Sequence, residues 1–550
     1  MMRYTYTQHP IPSRWRSDPA LSAVDPLVLQ ILANRGFQDE TKTAAFLFPD
    51  ETVIPTQFSI KNLSKLTVEL SDAIQHRRQI IIYHDYDVDG CCACAIMLEN
   101  LNRFGAITGT YCNDRDVDGF GLCRNGVDRL LSKYPDAEVI LTVDNGISAF
   151  DGIQYAKRKG LTVLVTDHHE PNNILPNADV IVNCKQPGET YPFHEFCGAG
   201  LALKIMLALA IHLHRDPQYV FNSVDLAAFA TIADVVPLIG ENRAIVKAGT
   251  RIMNEGVRPF FRLLSLIKNT TASSKTIGFT YAPMVNAVSR MGQDVERVVA
   301  ALVGREDPAV KSTVLWMDQL NEQRKALTAQ QNELAKGLVL SPTPAAIVIR
   351  HPEFQAGLVG IIAGRLVDEY QCPAIVFAEE KDGTLKASAR SIPGVNMKGL
   401  LDKLAPLLLR YGGHAMAAGL SIRTDDFEKF KESFLDLVKK TNPAHSPEKM
   451  LDAVVDADSL TSEIVQNLRI LEPYGADSPE PLIGLNMPVV GTSLMGAEHQ
   501  HVKYRGRNMS VIKWRGAEEA KRRTCLPSKF VGRLSLNEFN GTVSVQLIAE

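Results

Sequence analysis

The amino-acid sequence predicts an α/β protein of several domains: a parallel-sheet domain, a long connecting helix, a smaller α/β domain and a strand-rich C-terminal domain. Three observations predict this architecture. Short apolar runs alternate with helical stretches between residues 79 and 185. Residues 309–336 contain neither Gly nor Pro, which favours one long helix. Proline-containing breaks at residues 341–344 and 442–447 separate the units. The chain of 550 residues is long enough for several hydrophobic cores.

The parallel sheet is predicted from four apolar runs. Each run is short, rich in β-branched residues and followed by polar residues, which is typical of buried strands. A helical stretch such as Ala149–Lys159 lies between consecutive runs. This alternation predicts parallel strands with helices on both faces. The predicted strands are Gln79–Tyr83, Ala137–Val143, Leu161–Val165 and Ala178–Val182.

The predicted domain boundaries follow the breaks in these patterns. Asp307 and Pro308 form a good N-cap and first-turn pair for the connecting helix. A mostly helical stretch precedes this helix, and a second α/β pattern follows it. We therefore expect an N-terminal segment at 1–48, the parallel-sheet domain with a helical extension at 49–306, the connecting helix at 307–340, the smaller α/β domain at 341–445 and the strand-rich domain at 446–550.

Composition indicates a soluble globular protein. The formal net charge is -3, with 45% hydrophobic and 22% charged residues. No apolar run is long enough for a transmembrane helix, so we expect no membrane association. Residues 1–18 lack the apolar core of a secretory signal. Nine cysteines, an odd number, are expected to be reduced thiols, with Cys91, Cys92 and Cys94 packing in a core. These features predict a cytoplasmic location.

The strongest chemical motif is Asp85-Tyr-Asp-Val-Asp-Gly90, directly after a predicted strand. Three carboxylates at alternate positions repel one another in a dry site unless cations compensate them. In open α/β sheets the functional crevice lies at the carboxyl ends of the strands, where these residues fall. One alternative is a solvated acidic loop. Another is a calcium loop, but three cysteines and an alanine stand where its further ligands would be.

Two further predicted strands and one predicted helical run carry acidic residues or histidines at or near their ends. Asp144 ends the next predicted strand, and Asp-His168-His169-Glu ends the one after it. Adjacent histidines in an extended chain cannot both point into one pocket, so we expect one to bind metal and the other to shape the site or touch substrate. Asp234 lies in an apolar helical run, where a carboxylate needs a cation or hydrogen-bond donors.

In this order, the motifs Asp-x-Asp-x-Asp-Gly, Asp-Asn-Gly, Asp-His-His and Ala-Asp-Val-Val-Pro resemble those of the DHH/DHHA1 phosphoesterase superfamily. Over nearly its whole length the chain is similar to the single-strand-specific exonucleases of that superfamily. The resemblance implies a metal-dependent 5′→3′ exonuclease on single-stranded DNA that acts in DNA repair and recombination by two-metal hydrolysis of phosphodiester bonds. It implies that the metal ligands are Asp85, Asp87, Asp89, Asp144, His168 and Asp234, with His169 as a further catalytic residue.

Carboxylates combined with imidazole suit two Mn²⁺ or Mg²⁺ ions, and the histidine favours Mn²⁺. The resemblance also implies substrate-binding residues outside the metal motifs. Arg115, Ser388 and Arg390 match the residues that capture the 5′-phosphate, a role that suits the planar fork of arginine. The other matching residues are Asn286, Arg290, Gly412, Gly413 and His414.

The chain departs from the superfamily pattern at four positions. His84 stands where Gly is common, Met284 where Arg is found, and Ser289 and Ala387 where Gly is found. None of these changes removes a predicted metal ligand. The change to Met284 bears on contacts to the DNA strand.

The C-terminal region, 446–550, is predicted to be an oligonucleotide-binding (OB) β-barrel that helps to hold the single strand. From His501 onwards it contains ten Lys/Arg and four Glu. Tyr504 and Trp514 each lie between two basic residues, an arrangement that suits base stacking. The alternatives are a solvated basic face and a Trp514 buried in the barrel core.

Two other functions are compatible with the superfamily. One is a DHH phosphodiesterase on short oligonucleotides or cyclic dinucleotides, which generally lacks the C-terminal module. The other is a non-catalytic DNA-bound scaffold, which the complete set of acidic and histidine motifs disfavours. The expected partners are single-stranded DNA, a single-strand-binding protein and a helicase, and the chain is expected to be a monomer.

Overall fold

The computed structural model describes residues 3–49, 59–113, 121–305, 307–441, 448–522, 526–539 and 541–550. Within these ranges, no helix combines the length and the apolar character that crossing a membrane requires.

Residues 3–49 form one short strand and two helices. Asp25 caps the first helix by accepting a hydrogen bond from the backbone N–H of Leu27, and Pro26 occupies the first helical turn. Asp39 caps the second helix by accepting from the N–H of Lys42. The elements are β1 (Arg3–Thr5), α1 (Pro26–Asn34) and α2 (Glu40–Leu47).

The central domain, residues 59–305, is built on a five-stranded sheet whose strands are all parallel, which confirms the prediction. The four predicted strands are present, and a fifth, unpredicted strand lies at the edge. The strands are β2 (Gln79–His84), β3 (Ile107–Cys112), β4 (Ala137–Val143), β5 (Thr162–Thr166) and β6 (Val180–Val182), in the order β3-β2-β4-β5-β6.

Helices cover both faces of this sheet. In β2, Ile80 and Ile82 pack into one core and Ile81 and Tyr83 into the other, because successive side chains of a strand point to opposite faces. Helix α3 (Leu63–Gln75) precedes β2, and the helices between the strands are α4 (Val88–Arg103), α5 (Arg124–Lys133) and α6 (Phe150–Arg158).

A helical extension completes the central domain. Its interior contains a buried ion-pair network: Arg258 Nε lies 2.7 Å from Asp225 Oδ2, and Arg258 Nη1 lies 3.0 Å from Glu99 Oε2. Five residues form a π-helical turn, Ile277–Tyr281. The helices are α7 (Gly198–His212), α8 (Gln218–Phe221), α9 (Val224–Ala233), α10 (Gly240–Glu255), α11 (Pro259–Lys268), α12 (Ser274–Thr276), α13 (Ala282–Arg290) and α14 (Glu296–Val303).

The predicted long connecting helix is present as α15 (Asp307–Gly337). It leads into the small α/β domain, in which β7 and β8 are parallel and the other neighbouring strands are antiparallel. The strands are β7 (Ile347–His351), β8 (Ala374–Glu379), β9 (Thr384–Arg390), β10 (Arg410–Gly413) and β11 (Ala417–Arg423), in the order β10-β11-β9-β8-β7. The helices are α16 (Val359–Tyr370), α17 (Met397–Lys403) and α18 (Phe427–Lys440).

The helices of the small domain cover its sheet unequally. Helices α17 and α18 pack on one face. On the other face, α16 packs over β7 and β8. The part of that face formed by β9, β11 and β10 lines an open cleft towards the central domain.

The C-terminal domain, residues 448–550, contains the predicted strand-rich, OB-like fold. Seven strands form one sheet, in the order β13-β14-β18-β19-β17-β16-β15. The elements are β12 (Glu448–Met450), β13 (Ala453–Asp456), α19 (Ser462–Asn467), β14 (Ile483–Asn486), β15 (Gly491–Met495), β16 (His501–Arg505), β17 (Met509–Lys513), α20 (Ala517–Arg522), β18 (Lys529–Phe539) and β19 (Thr542–Ala549).

The N-terminal segment shares its core with the C-terminal domain, a pairing that no local sequence pattern predicts. Strand β1 pairs in parallel with β12. Trp15 and Leu32, both fully buried, belong to the same hydrophobic cluster as Leu471 and Leu547. The segment is therefore part of the C-terminal module.

Arg243 joins this module to the central domain. Its side chain is 1% exposed. It donates hydrogen bonds to the carbonyl oxygens of Phe46 (2.6 Å), Leu471 (3.0 Å) and Glu472 (2.9 Å), and its guanidinium lies 3.8 Å from the centre of the Phe46 ring. One side chain on α10 thus holds both parts of the module.

Candidate metal centre and substrate cleft

The first acidic motif lies at the carboxyl end of β2 and the start of α4. Asp87 is the N-cap of α4, and its carboxylate accepts a hydrogen bond of 3.0 Å from the N–H of Gly90. A Cβ atom at Gly90 would lie 2.4 Å from the carbonyl oxygen of Asp85, so this turn requires glycine. The local fold thereby brings Asp85 and Asp87 to the edge of the sheet.

The carboxylate of Asp89 is held by the start of another helix. Its two oxygens accept hydrogen bonds from the N–H groups of Gly198 (2.6 Å) and Ala199 (2.7 Å), at the N-terminus of α7. A Cβ atom at Gly198 would lie 2.7 Å from the Cβ of Asp144. Glycine at this position therefore lets α7 approach the acidic cluster closely.

Asp144 and His168 lie at the ends of the next two strands and contact each other. Asp144, with a φ of 59°, is 3% exposed. His168 Nε2 lies 3.0 Å from Asp144 Oδ1, 3.5 Å from Asp89 Oδ2 and 3.8 Å from Asp234 Oδ2. Burial lowers the pKa of His168, which favours the neutral ring that metals bind.

His169 is positioned differently, by a residue that the predicted site did not include. Asp167 accepts hydrogen bonds from the backbone N–H groups of Ile147, His168 and His169, and its Oδ1 lies 2.7 Å from Nδ1 of His169. Burial opposes protonation of the His169 ring, but the bond to Asp167 outweighs it and raises the pKa of His169 to about 9. Asp167 is the first residue of the Asp-His-His motif, so the sequence contained a signal that could have identified it as a site residue.

Asp234, directly after α9, completes the cluster. The donor atoms of each of three groups lie within 4.8 Å of one another. All six predicted metal ligands occur in them. The groups are Asp85, Asp87 and Asp144; Asp89, His168 and Asp234; and Asp144, His168 and His169.

The carboxylates of the cluster carry more negative charge than the hydrogen-bond donors around them offset. Burial and neighbouring carboxylates raise the pKa of Asp85 to about 7 and that of Asp234 to about 8, and raise the pKa of Asp144 well above its usual range. Oδ1 of Asp144 is buried and accepts no well-aligned hydrogen bond. The six predicted ligands are five carboxylates and one imidazole, a set that suits divalent cations such as Mn²⁺ or Mg²⁺, so these residues fit two such ions.

This charge predicts a pH-dependent response to metal. A raised carboxyl pKa contributes stability at low pH that is lost as the pH rises through the folded-state value, here about 7 for Asp85 and about 8 for Asp234. Bound cations stabilise the ionised carboxylates instead. We expect Mn²⁺ to raise the melting temperature more at pH 8 than at pH 6, measured by scanning fluorimetry. The exposed-site variant Asp151→Asn should behave like the unmodified chain, and an equal gain at both pH values would contradict the cluster's charge state.

A cleft of about 740 Å³ separates the central domain from the small α/β domain and borders the cluster at Asp87. Most of the predicted substrate-binding residues line it. Gly412, on β10, pairs with the cleft residue Gly419. His414 follows β10, and its N–H donates to the carbonyl oxygen of Ala417 (2.7 Å). Arg115 lies outside the described residues. The lining residues from the prediction are Asn286, Arg290, Ser388, Arg390 and Gly413.

The register of the small domain's sheet determines which side chains lie together on the cleft floor, the face formed by β9, β11 and β10. Lys386, Ser388 and Arg390 alternate along β9 and share one face. Arg390 Nη1 donates a hydrogen bond of 2.8 Å to Ser388 Oγ. Ser421 pairs with both Lys386 and Arg410, so these two cations flank it on the same face. Lys386 and Arg410 were not predicted as site residues, because only the strand register brings them together.

The departures from the superfamily pattern have different surroundings. Met284 is fully buried in the central core and does not contribute to the cleft lining. Ser289 lines the cleft. Ala387 is 5% exposed, packs in the core of the small domain and also borders the cleft. Met284 therefore offers no contact to a strand in the cleft.

The two aromatic residues singled out in the C-terminal domain differ in exposure. Trp514 is 54% exposed, and its ring lies edge-on to that of His501 at 4.8 Å. Tyr504 is only 4% exposed and packs against Phe530, so the suggestion that it stacks on bases is wrong. Trp514, with Lys513 and Arg515 beside it in sequence, is not a core residue.

Comparisons with known proteins agree with this organisation. Profiles described as the DHH family N-terminal domain, the DHHA1 domain and the RecJ OB domain match residues 79–231, 343–440 and 451–550. The single-stranded-DNA-specific exonuclease RecJ of Salmonella typhimurium is 32% identical over 560 residues, covering 96% of this chain and 95% of the relative. The crystal structure of Thermus thermophilus RecJ with Mn²⁺ is similar at a TM-score of 0.86 and 27% identity, covering 100% of this chain and 78% of that one. The corresponding Mg²⁺ complex has a TM-score of 0.79 and 25% identity, covering 100% and 77%.

Proposed function

Because the chain belongs to the RecJ family of single-stranded-DNA-specific exonucleases, we propose that it hydrolyses phosphodiester bonds of single-stranded DNA from the 5′ end, in DNA repair and recombination. The observation that carries this proposal is the position of the acidic cluster. Asp87 borders a cleft whose opposite wall presents Ser388 and Arg390. A strand end bound on that wall would place a phosphodiester bond near the cluster.

The proposed metal ligands are Asp85, Asp87, Asp89, Asp144, His168 and Asp234, which would hold two Mn²⁺ or Mg²⁺ ions. When bound, such ions activate water and offset charge on the scissile phosphate. The backbone of α7 fixes the orientation of the Asp89 carboxylate. Asp167 orients His169 through Nδ1. The protonated His169 ring can then donate a proton to a phosphate or a leaving oxygen.

Ser388 and Arg390 are the proposed 5′-phosphate site, together with Arg115. Arginine presents a planar fork that matches two phosphate oxygens, and the hydroxyl of Ser388 already orients the guanidinium. Burial lowers the pKa of Arg390. The charge of Arg390 is therefore poorly compensated by solvent, and an entering phosphate would stabilise it. Lys386 and Arg410 add positive charge along the same floor.

The C-terminal domain is proposed to hold the strand beyond the cleft. The turn directly after β17 presents Trp514 to solvent, with Lys513 and Arg515 on either side in the sequence. A phosphodiesterase that acts only on very short substrates would not need this module. A non-catalytic scaffold would not need an intact acidic cluster.

One chain supplies both the cluster and the cleft walls, so we propose a monomer. A helicase and a single-strand-binding protein are proposed partners, because they produce and protect single strands.

The proposed polarity gives a direct prediction. Single strands labelled at one end should lose a 5′ label as mononucleotide from the start, while a 3′ label should remain in the shortening products. Arg390→Ala should remove the preference for a 5′-phosphate over a 5′-hydroxyl and should weaken bulk strand affinity much less. The matched control is Arg423→Ala, an exposed arginine on the neighbouring strand β11. Early release of a 3′ label would show that the polarity is wrong.

A further inference from the structure

Phe279 is an exposed aromatic side chain on a firmly held turn. It is 82% exposed, whereas Ile277 and Tyr281 on either side of it are fully buried. The hydroxyl of Tyr281 lies 3.0 Å from the Ser265 Oγ and 3.2 Å from the Thr270 Oγ1. The π-helical form of this turn is uncommon, and such turns occur frequently at functional sites. A large apolar side chain is thus held in solvent by buried neighbours.

The turn borders the metal cluster. A Cβ atom at Gly278 would lie 3.7 Å from the Cγ2 of Ile232, two residues before Asp234. Val235, directly after Asp234, is also 68% exposed and has a positive φ of 58°. Phe279 and Val235 are therefore exposed apolar residues on two segments that approach each other through Gly278 and Ile232, close in sequence to the proposed metal ligand Asp234.

The same helical segment lines the cleft. Asn286 and Arg290 follow Phe279 by seven and eleven residues, spacings that return to the same side of a helix. The wider π-helical turn changes this alignment by only a fraction of a turn. At about 1.5 Å per residue, Phe279 lies roughly 10 Å beyond Asn286 along the axis. A strand leaving the cleft along α13 would next meet Phe279.

The C-terminal domain lies on the other side of the turn. The N–H of Leu238, four residues after Asp234, donates a hydrogen bond of 2.9 Å to the carbonyl oxygen of Ala476. Burial raises the pKa of Glu480, and the charges of Arg533 and of Lys275, which lies on α12 just before the turn, lower it in part. The turn is therefore situated between the cleft and the C-terminal domain.

We propose that Phe279 is a positioning residue that stacks on a base of the bound single strand between the cleavage site and the C-terminal domain. The inference rests on the proposed function, which supplies a strand in the cleft. Every base has a flat apolar face, so an aromatic ring binds it without sequence preference. An exposed ring beside a strand's exit holds the next nucleotides in register, which keeps the scissile phosphate at the cluster.

The test uses the full chain without divalent ions, so that strands bind but are not cut. Phe279→Ala, Phe279→Trp and the control Leu266→Ala, an exposed apolar residue on α11 (69% exposed), are compared. 2-Aminopurine is placed at successive positions of a 5′-phosphorylated strand, and fluorescence quenching and anisotropy are recorded. We expect Phe279→Ala to weaken binding by about 5- to 100-fold and to abolish quenching at one position. Phe279→Trp should retain both, and Leu266→Ala should match the unmodified chain.

Two outcomes would overturn the inference. In one, Phe279→Ala binds strands with unchanged affinity and an unchanged quenching profile. In the other, strand binding is unchanged and only the capture of a protein partner suffers, which would make Phe279 part of a protein-docking surface. Failure of the proposed function is distinguishable, because the unmodified chain would then neither bind single strands nor cut them when Mn²⁺ is added.

Discussion

Asp87→Asn is expected to reduce metal-dependent cleavage of single-stranded DNA by several orders of magnitude while leaving the fold intact. Asparagine keeps the shape of the side chain and is also a good helix N-cap, so the hydrogen bond to Gly90 at the start of α4 is retained. What is lost is one negative charge from the cluster and one oxygen ligand. Cleavage by two-metal chemistry depends on both. The rate is measured with labelled strands in Mn²⁺ and in Mg²⁺.

The controls for this variant separate chemistry from folding and binding. Asp151→Asn, an exposed aspartate in the same domain (83% side-chain exposure), should cut at the unmodified rate. The melting temperature of metal-free Asp87→Asn should be equal or higher, because the variant removes a repelling carboxylate. Its affinity for strands in a chelator should be close to that of the unmodified chain. Undiminished cleavage by purified Asp87→Asn would remove Asp87 from the proposed ligand set.

Arg258→Ala is expected to give the largest loss of stability, about 3–5 kcal/mol in the free energy of unfolding. The guanidinium is 8% exposed and contacts two carboxylates, Asp225 at 2.7 Å and Glu99 at 3.0 Å. Removing it leaves Asp225 buried without its counter-charge and leaves Glu99 with the exposed Arg305, whose Nη2 lies 3.9 Å from Glu99 Oε2. Arg251→Ala, which breaks an exposed pair with Glu255, should cost at most about 1 kcal/mol. Urea unfolding at pH 7 measures both.

The loss should also depend on pH. Burial alone would raise the pKa of Glu99, but Arg258 outweighs it and holds this pKa below its usual range. Such a group contributes stability above its unfolded-state pKa, a contribution that disappears as the pH falls through the folded value. The difference between the unmodified chain and Arg258→Ala should therefore be smaller near pH 4 than at pH 7. A difference independent of pH would mean that packing, not charge, accounts for the effect.

Local patterns in the sequence were sufficient for the parallel sheet, the connecting helix and the acidic motifs. The four predicted strands are mostly apolar because both faces of the sheet are buried. Strand β3 was missed because it lies at the sheet edge and alternates Ile, Gly and Tyr with Thr, so only half of its pattern is apolar. Its position in the sheet is decided by pairing with β2.

Features that depend on distant residues had no local signal. The pairing of Lys386 with Arg410 across Ser421 requires the register of three strands. The hydrogen bonds from Gly198 and Ala199 to Asp89 join residues 109 and 110 positions apart. Arg243 reads as an ordinary helical arginine, and only the folded chain places Phe46 over it. Motif order therefore predicts which residues form the site, and tertiary contacts determine how each is held.

The shared core of residues 3–49 and 448–550 affects how the protein is made. Asn34 Nδ2 donates to the carbonyl oxygen of Asp452, across 418 residues of sequence. At about 5–20 residues per second, a ribosome needs roughly 20 to 80 seconds to synthesise that interval. During this time the apolar side chains of α1, including Ile31 and Leu32, have no partner from the C-terminal domain. Residues 3–49 thus complete their fold only after the C-terminal domain has been made, and a chain cut near residue 442 would leave the apolar side chains of α1 without that partner.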